Sequence, residues 1–194
     1  MESERNAIVV YGASSEGINQ KYKDAAYRLG ELIAGRGLTL VSGGGKAGLM
    51  KAAIEGATSC GGRTVGVLPR FMVDRNWQHP LLTEMITTPD MHSRKRTMAS
   101  LSRGAVACPG GCGTFEELME IITWRQLGLY HGQVVILNTS GYYDPLIEML
   151  DRTVKLGFMR SDHTGLWHVA ATPEHAVEMV LADGADICFS QKIH

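Results

Sequence analysis

Short runs of apolar, β-branched residues alternate along the chain with longer segments in which apolar residues recur every three to four positions. The first run, Ala7–Tyr11, is too short for a helix and predicts a strand. In the next segment, Asn19 to Gly35, the apolar positions have helical spacing, and glycine provides a C-terminal stop. A strand followed by a helix is therefore the first predicted unit.

The same alternation continues along the chain and predicts an α/β fold. Further strands are expected at Leu38–Val41, Thr64–Leu68, Gly104–Cys108, Gln133–Leu137 and Trp167–Ala170, and helices at Leu49–Ala57, Ser93–Ser102, Thr114–Leu127, Asp144–Leu156 and Pro173–Leu181. The less regular segment from Arg70 to Pro89 is interpreted as a loop over the sheet, with a short strand around Met85–Thr87. We expect a Rossmann-like, doubly wound, mostly parallel sheet of about seven strands, with helices on both faces and ligands at the carboxyl ends of the strands.

Length and charge narrow the class of protein. A chain of 194 residues, 44% of them hydrophobic, suits a single Rossmann-like nucleotide-binding domain over residues 1–194. It has no apolar run near 20 residues and no signal-peptide pattern, so we expect a soluble, cytoplasmic protein. Nineteen basic residues against twenty acidic ones give no surplus for sequence-independent nucleic-acid binding. Any bound anion must be held locally.

Glycine is enriched, with 23 in 194 residues, or about 12% against an average near 7%. Many of these glycines lie in three clusters, Gly12–Gly17, Gly43–Gly48 and Gly110–Gly113, and each cluster follows a predicted strand. Such turns let the backbone approach a ligand closely, and the N–H groups of the next helix favour phosphate. The alternative for any one cluster is that its glycines only allow a tight turn.

The cysteines and histidines do not predict a metal site. Cys60 and Cys188 stand alone, and three residues separate Cys108 from Cys112. We expect reduced, buried thiols. The seven histidines are scattered without a ligand motif such as HExxH.

The second glycine cluster matches G-x-G-x-x-G but fits neither of the common nucleotide motifs. A dinucleotide site requires an acidic residue after the next strand, and this strand ends in Leu68-Pro69-Arg70. A P-loop requires Ser or Thr after Lys46 and an earlier glycine where Leu40 stands. A dinucleotide-dependent oxidoreductase and a P-loop NTPase are therefore both disfavoured.

The third cluster combines a glycine turn with carboxylates. Thr114 is a natural helix N-cap, and Glu117 three residues later would complete a capping box. Glu116 and Glu117 also place two carboxylates beside a turn that could hold phosphate, which is more than capping requires. Upstream, Arg94-Lys95-Arg96 are three cations near a predicted helix start, where the helix dipole disfavours positive charge. A bound anion would offset this cost; a solvated basic turn is the alternative.

Three motifs together resemble the LOG ("Lonely Guy") family of cytokinin-activating phosphoribohydrolases. They are GGGxxGLM at Gly43–Met50, MHxRK at Met91–Lys95 and PGGxGTxxE at Pro109–Glu117. The turn at Tyr11–Ser15 also resembles that of the family, and the likeness runs from about residue 7 to about residue 181. Members have often been labelled lysine decarboxylases, but the sequence has no local signature for a pyridoxal enzyme.

The resemblance implies hydrolysis of the N-glycosidic bond of a nucleoside 5'-monophosphate, either AMP or an N6-substituted cytokinin precursor. It makes Glu117 and Arg94 the catalytic residues, because a carboxylate beside the ribose can stabilise developing positive charge or activate water. The phosphate would rest on the Gly111–Thr114 turn. The implied substrate-binding residues are Ser14, Gly43, Gly44, Gly45, Arg94, Lys95, Gly110, Gly111, Cys112, Gly113, Thr114, Glu116, Glu117 and Thr123. The resemblance implies no metal or organic cofactor, and it implies a homodimer with the site near the interface.

Two departures from the family pattern concern base specificity. Asn76 stands where many members have a Glu that helps to bind substrate, and Lys51 stands where glycine is usual. Glu84 is a candidate for supplying the missing carboxylate. The alternative function is a non-catalytic carrier of a nucleotide or of the molybdenum cofactor, which would need the phosphate-binding turn but no carboxylate at the ribose.

Overall fold

A computed structural model describes residues 6–182, in which seven strands alternate with seven α-helices. The strands are β1 (Ala7–Tyr11), β2 (Thr39–Ser42), β3 (Thr64–Pro69), β4 (Glu84–Thr88), β5 (Gly104–Ala107), β6 (Gln133–Leu137) and β7 (His168–Ala170). The α-helices are α1 (Gln20–Gly35), α2 (Gly48–Ser59), α3 (Arg70–Val73), α4 (Met91–Leu101), α5 (Cys112–Gln126), α6 (Asp144–Lys155) and α7 (Pro173–Leu181), and 3-10 turns lie at Thr139–Gly141 and Ser161–Leu166. Cys188 lies outside the described residues.

The strands form one sheet in the order β4-β3-β2-β1-β5-β6-β7, and every pairing is parallel. Val9 in the central strand β1 lies between Val41 of β2 and Ala105 of β5. The chain winds outward from β1 in both directions, so the switch in strand order lies between β1 and β5. In such sheets ligands bind in the crevice at the carboxyl ends of the strands beside this switch. The predicted fold class is confirmed.

Alternate residues of the strands face two apolar layers. Ile8 and Val10 of β1 belong to the layer that includes α1, α2 and α7, whereas Val9 and Tyr11 belong to the layer with α4, α5 and α6. Because both faces are covered, the strands read as continuous apolar runs rather than as alternating ones. Because of these continuous apolar runs, the sequence pattern placed the ends of most strands within one residue of their observed positions.

The segment from Arg70 to Pro89 differs in part from the prediction of a loop over the sheet, although the short strand expected around Met85–Thr87 is confirmed. Arg70–Val73 forms a short helix, and Glu84–Thr88 forms the edge strand β4, where Met85 pairs with Gly66. Glu84 and Met85 are exposed. An edge strand with exposed residues lacks the buried apolar run that identified the other strands.

The start of α5 also differs from the prediction. Gly111 is the N-cap, in extended backbone geometry, and its carbonyl oxygen accepts from the Phe115 N–H at 3.0 Å. Thr114 is thus the third helical residue rather than the cap, and its side chain packs against Gly110, where a Cβ would overlap it. The predicted Thr114–Glu117 capping box is wrong, which leaves Glu117 available for another role.

No helix within residues 6–182 is long and apolar enough to cross a lipid bilayer.

Candidate functional site

Three glycine-rich turns meet at the carboxyl edge of the sheet and are hydrogen-bonded to one another. The Ala13 N–H, in the turn after β1, donates to the Pro109 carbonyl at 3.2 Å. The Ala13 carbonyl in turn accepts from the Leu49 N–H at 2.8 Å, at the start of α2. Backbone bonds thus hold the three turns, predicted separately from glycine content, as one unit.

Two glycines in this unit are required by close packing. A Cβ at Gly43 would overlap the Arg94 guanidinium and press on Met50 Sδ at 3.0 Å. Gly48 has φ of +64°, and a Cβ there would overlap the Ala13 carbonyl oxygen. Both therefore serve a close approach of the backbone, as expected for glycines at a ligand site.

A cavity of about 690 Å³ opens at this edge. Its lining comes from the three turns, from the starts of α4 and α5, and from the segment after β3. The residues that line it are Gly12, Ala13, Ser14, Ser15, Gly43, Gly45, Lys46, Ala47, Met50, Leu68, Met72, Trp77, Met91, Arg94, Gly111, Cys112, Gly113, Thr114, Glu116 and Glu117. The size and the mixture of apolar and polar residues suit a small organic ligand.

A buried ion pair lies in this cavity. Arg94 Nη1 donates to Glu117 Oε1 at 3.0 Å, and Arg94 Nε donates to the Val67 carbonyl at 3.0 Å. Their side chains are only 7% and 10% exposed. Burial raises the pKa of the Glu117 carboxyl, and Arg94 partly offsets this rise. The cavity therefore holds a carboxylate of increased basicity, fixed in place by a guanidinium.

The N-terminus of α5, the helix that also carries Glu117, forms a polar part of the cavity wall. Within residues 6–182 no side chain caps this N-terminus, and Gly111–Thr114 line the cavity. The first N–H groups of a helix have no partner within the helix, and the helix dipole favours an anion beside them. The turn thus presents a place for phosphate of the kind that the glycine pattern predicted.

Lys95 has a different environment from the one predicted. Its ammonium is buried and donates to Glu116 Oε1 at 2.7 Å and to Glu120 Oε1 at 3.1 Å. Burial lowers the pKa of Lys95, but its hydrogen bonds to the two carboxylates outweigh burial, so its pKa is raised. Lys95 thus neutralises the acidic face of α5 rather than lining the cavity.

The basic run at the start of α4 is not a solvated turn. Arg94 and Lys95 are both buried and paired with carboxylates of α5, and only Arg96 is exposed. Asp90 is the N-cap of α4, and its carboxylate accepts from the Ser93 N–H at 2.7 Å. The anions that offset the helix dipole are therefore supplied by the protein.

Four predicted substrate-binding residues do not line the cavity of the described chain: Gly44, Lys95, Gly110 and Thr123. Gly44 and Gly110 belong to the glycine turns, and it is their chain neighbours Gly43, Gly45 and Gly111 that line the cavity. Thr123 is exposed further along α5, and its hydroxyl donates to the Met119 carbonyl at 2.8 Å. The structure brings together the other ten, Ser14, Gly43, Gly45, Arg94, Gly111, Cys112, Gly113, Thr114, Glu116 and Glu117.

Sequence reasoning missed an apolar wall formed by Met50, Leu68, Met72, Trp77 and Met91. The Trp77 carbonyl oxygen accepts from the Lys46 N–H at 3.1 Å, and this backbone bond joins the segment that carries Trp77 to the second glycine turn. Trp77 is 43% exposed. A half-exposed tryptophan in an irregular segment was the one signal that could have identified this wall. Lys46 also lines the cavity, although in the sequence it was considered only as part of a P-loop motif.

The two positions that raised the question of base specificity lie outside the cavity lining. Asn76 is exposed, with φ of +56°, in the turn before Trp77. Glu84 begins β4 at the amino edge of the sheet and pairs with Arg63, so it does not replace a cavity carboxylate. Lys51 is on α2, with its ammonium 4.0 Å from the Glu55 carboxylate.

The cysteines are less buried than predicted. Cys108 is buried, whereas Cys60 and Cys112 are exposed, and the thiols of all three are free. Cys112 lies at the start of α5 because the helix begins two residues before the predicted Thr114. In residues 6–182 no three His, Cys, Asp or Glu side chains are grouped as metal ligands.

Replacing Gly43 by Ala is expected to impair the site without unfolding the protein. The new Cβ displaces the Arg94 guanidinium and therefore its bond to Glu117, so any activity of the cavity should fall by about tenfold or more, the effect of misplacing a catalytic group. Gly17→Ala is the matched control, because a Cβ at Gly17 meets nothing within 4 Å. Activity and circular dichroism of the two variants check this, and equal activity would show that Arg94 tolerates displacement.

The fold and the cavity at its switch point place this chain among the Rossmann-like α/β proteins that carry a ligand site at the carboxyl edge of the sheet. A solved structure of a molybdenum cofactor carrier protein from Chlamydomonas reinhardtii has the same fold, with a TM-score of 0.70, 27% identity, and coverage of 91% of this chain and 99% of that one.

Sequence comparison is more specific. The family model described as "Possible lysine decarboxylase" matches residues 50–180. A cytokinin riboside 5'-monophosphate phosphoribohydrolase of Arabidopsis thaliana is 38% identical over 180 residues, which are 93% of this chain and 83% of that protein. A rice protein named as a probable enzyme of the same kind is 37% identical over 178 residues, 92% of this chain and 73% of its own length. The chain belongs to the LOG family.

Proposed function

We propose that this protein hydrolyses the N-glycosidic bond of a nucleoside 5'-monophosphate, giving the free base and ribose 5-phosphate. The observation that carries the proposal is the buried Arg94–Glu117 pair, which shares one cavity with the uncapped N-terminus of α5. The relatives' names supply the substrate class, since they describe phosphoribohydrolases of cytokinin riboside 5'-monophosphates.

The geometry supports a division of labour across the cavity. The phosphate rests on the N–H groups of Gly111–Thr114, and the ribose lies beside Glu117. As the bond from C1' to the base nitrogen breaks, its electron pair leaves with the base and positive charge develops on the ribose. The Glu117 carboxylate stabilises that charge and accepts a proton from the water whose oxygen bonds to C1'. The departing base takes up one proton, so that the water is divided between the ribose, which gains OH at C1', and the base, which gains H, and Glu117 returns to its carboxylate form.

Arg94 has a positioning and electrostatic role in this proposal. Its Nη1 bond keeps Glu117 oriented, and its Nε bond to Val67 fixes the guanidinium to the sheet. The apolar wall, which includes Met72 and Trp77, provides surface for a purine base and for a substituent on it.

A turnover panel tests the proposed function. Purified protein is incubated with AMP, N6-substituted AMP, GMP, CMP and UMP, and free base is followed by chromatography. We expect release from AMP or its N6-substituted forms, with the preferred base identified by kcat/KM. Lack of release from every nucleotide in the panel would refute the proposal.

The decarboxylase description of the family model receives no support from Lys95. A Schiff-base lysine has to lose its proton, and Lys95 is held as an ammonium by Glu116 and Glu120. Incubation with lysine and assay of the diamine product is the appropriate control, and we expect no product.

A non-catalytic carrier is the second candidate, because the Chlamydomonas structure with the same fold is a molybdenum cofactor carrier. A carrier needs the phosphate-binding turn but has no use for a buried carboxylate of raised pKa beside it. Calorimetry separates the two functions: tight binding of AMP that persists without base release favours a carrier.

We also propose a homodimer with the cavity near the subunit interface. The position near the interface is what the resemblance to the family implies. This chain supports association only: Leu127 and Leu129, which follow α5, are 61% and 69% exposed. Exposed large apolar side chains favour association with another protein surface. Sedimentation equilibrium is expected to give twice the chain mass, and the single-chain mass would contradict the dimer.

Thiol labelling gives an internal measure of ligand binding in the cavity. Iodoacetamide is expected to modify Cys112 and Cys60, which are exposed, but not Cys108, because burial raises the pKa of that thiol to about 12. AMP bound at the α5 N-terminus should slow labelling of Cys112 and leave Cys60 unaffected. Peptide mapping by mass spectrometry measures both sites in one sample. Equal rates at Cys112 with and without saturating AMP would place the nucleotide elsewhere.

A further inference from the structure

Two consecutive tyrosines hold the phosphate-binding turn from behind. The Tyr142 hydroxyl donates to the Gly110 carbonyl at 2.6 Å, and the Tyr143 hydroxyl donates to the Cys108 carbonyl at 2.7 Å. The tyrosines lie between β6 and α6, more than 30 residues along the chain from the turn they contact. Neither tyrosine lines the cavity of the described chain.

The other two carbonyls of the turn also have donors. Pro109 accepts from the Ala13 N–H at 3.2 Å, and Gly111 accepts from the Phe115 N–H at 3.0 Å. Together with the tyrosine bonds, four consecutive carbonyls, from residue 108 to residue 111, are therefore fixed in direction.

Fixing the carbonyls of residues 109–111 also fixes the N–H groups of residues 110–112, which would meet a phosphate; the residue after Cys108 is Pro109, which has no N–H. In a trans peptide the C=O of one residue and the N–H of the next point in opposite directions, and no cis peptide occurs in the described chain. The Gly110 carbonyl is directed at Tyr142, behind the turn. The Gly111 N–H is therefore directed to the opposite side, and Gly111 lines the cavity.

The tyrosine pair is itself held firmly. The Tyr142 ring packs edge-on against the rings of Tyr143 and Tyr22, at centroid distances of 5.0 and 5.9 Å. The Tyr143 N–H donates to Asn138 Oδ1 at 2.7 Å. Tyr143 is buried, and burial raises the pKa of its hydroxyl, so it remains a protonated donor. Such a support preorganises the turn before a ligand arrives.

We propose that Tyr142 is a positioning residue, which orients the N–H groups of residues 110–112 for the phosphate of the substrate, while Tyr143 anchors the start of the turn at Cys108; this inference rests on the proposed function. The two hydroxyls act through the backbone of the turn and do not touch the substrate. Phosphate binding contributes equally before and during bond cleavage, because the phosphate does not react. Loss of the support should therefore raise KM and leave kcat nearly unchanged.

Tyr142→Phe tests the proposal, because it keeps the ring contacts and removes only the hydroxyl. We expect KM for AMP and the Kd of ribose 5-phosphate to rise together by about fivefold, the effect of losing one neutral hydrogen bond, with kcat within about twofold of wild type. Tyr22→Phe is the matched control: its ring packs on Tyr142, but within residues 6–182 its hydroxyl makes no hydrogen bond. It should leave both constants unchanged.

Hydrogen exchange separates failure of this inference from failure of the proposed function. Amides of residues 110–115 are expected to exchange faster in Tyr142→Phe than in wild type or Tyr22→Phe, whether or not any nucleotide is hydrolysed. Unchanged exchange together with unchanged KM and Kd would overturn the positioning role, as would a fall in kcat at constant KM. If wild type releases no base from any nucleotide, the proposed function fails, and the exchange rates still decide the inference.

Discussion

Glu117→Gln is expected to lower the rate of base release by about 10²- to 10⁴-fold, the usual contribution of a general base or acid. The amide has nearly the shape of the carboxylate, and its oxygen can still accept from Arg94 Nη1. It lacks the negative charge that stabilises the ribosyl cation and the basicity that activates water. KM should change little, since Glu117 acts mainly in the transition state.

The matched control is Glu148→Gln, a carboxylate-to-amide change on the exposed face of α6, which should retain wild-type turnover. Circular dichroism and thermal melting verify that both variants fold. Full activity in Glu117→Gln would remove this residue from the mechanism.

The dependence of kcat on pH is a second test of the role of Glu117. The carboxylate is the active form, so kcat rises with pH as Glu117 loses its proton. Because burial raises its pKa, this acidic limb should lie above about 4.3, the value for an ordinary glutamate. The limb is expected to be absent from the residual activity of Glu117→Gln.

Arg94→Ala is expected to abolish turnover and also to destabilise the fold by about 3–5 kcal/mol, the cost of leaving a buried charge without its partner. Arg94 is 6% exposed and bonds both Glu117 and the Val67 carbonyl, so its removal leaves two buried acceptors unpaired. Denaturant unfolding and the turnover assay measure the two effects separately.

The double variant Arg94→Ala with Glu117→Gln distinguishes charge from packing. The double variant should be more stable than Arg94→Ala, because the unpaired buried carboxylate is gone. It should remain inactive. The stability deficit of Arg94→Ala should also shrink at acidic pH. Losing Arg94 raises the pKa of Glu117 further, and a carboxyl whose pKa is raised on folding costs no stability below its unfolded pKa and an increasing amount as pH rises from the unfolded pKa to the folded one. A deficit that is independent of pH and of Glu117 would assign Arg94 a packing role only.

The central strands could be predicted from the sequence because strands covered on both faces form continuous apolar runs. β4 was expected as a short strand around Met85–Thr87, but its surroundings were interpreted as a loop over the sheet, since Glu84 and Met85 are exposed at a sheet edge. The glycine clusters located the turns, because only a few residue types permit their close contacts. Gly43 beside Arg94 is the clearest case.

The candidate site was predicted in part. Its polar residues came from motifs near the ends of strands, and the resemblance to the LOG family assigned roles to Arg94 and Glu117, which remain predictions. The pairing of Lys95 with Glu116 and Glu120 could not be foreseen, because the packing of α4 against α5 sets it over more than 20 residues of sequence. The wall around Trp77 has no periodic pattern and became evident only in three dimensions.

The central claim, cleavage between C1' and the base, is tested most directly by the product balance from AMP. Wild-type protein is predicted to release adenine and ribose 5-phosphate in equal amounts, without adenosine or inorganic phosphate, and Glu117→Gln is predicted to release neither at a comparable rate. Bound but unaltered AMP would indicate a carrier, and adenosine with inorganic phosphate would indicate cleavage of the phosphate ester. Either result would contradict the proposed function.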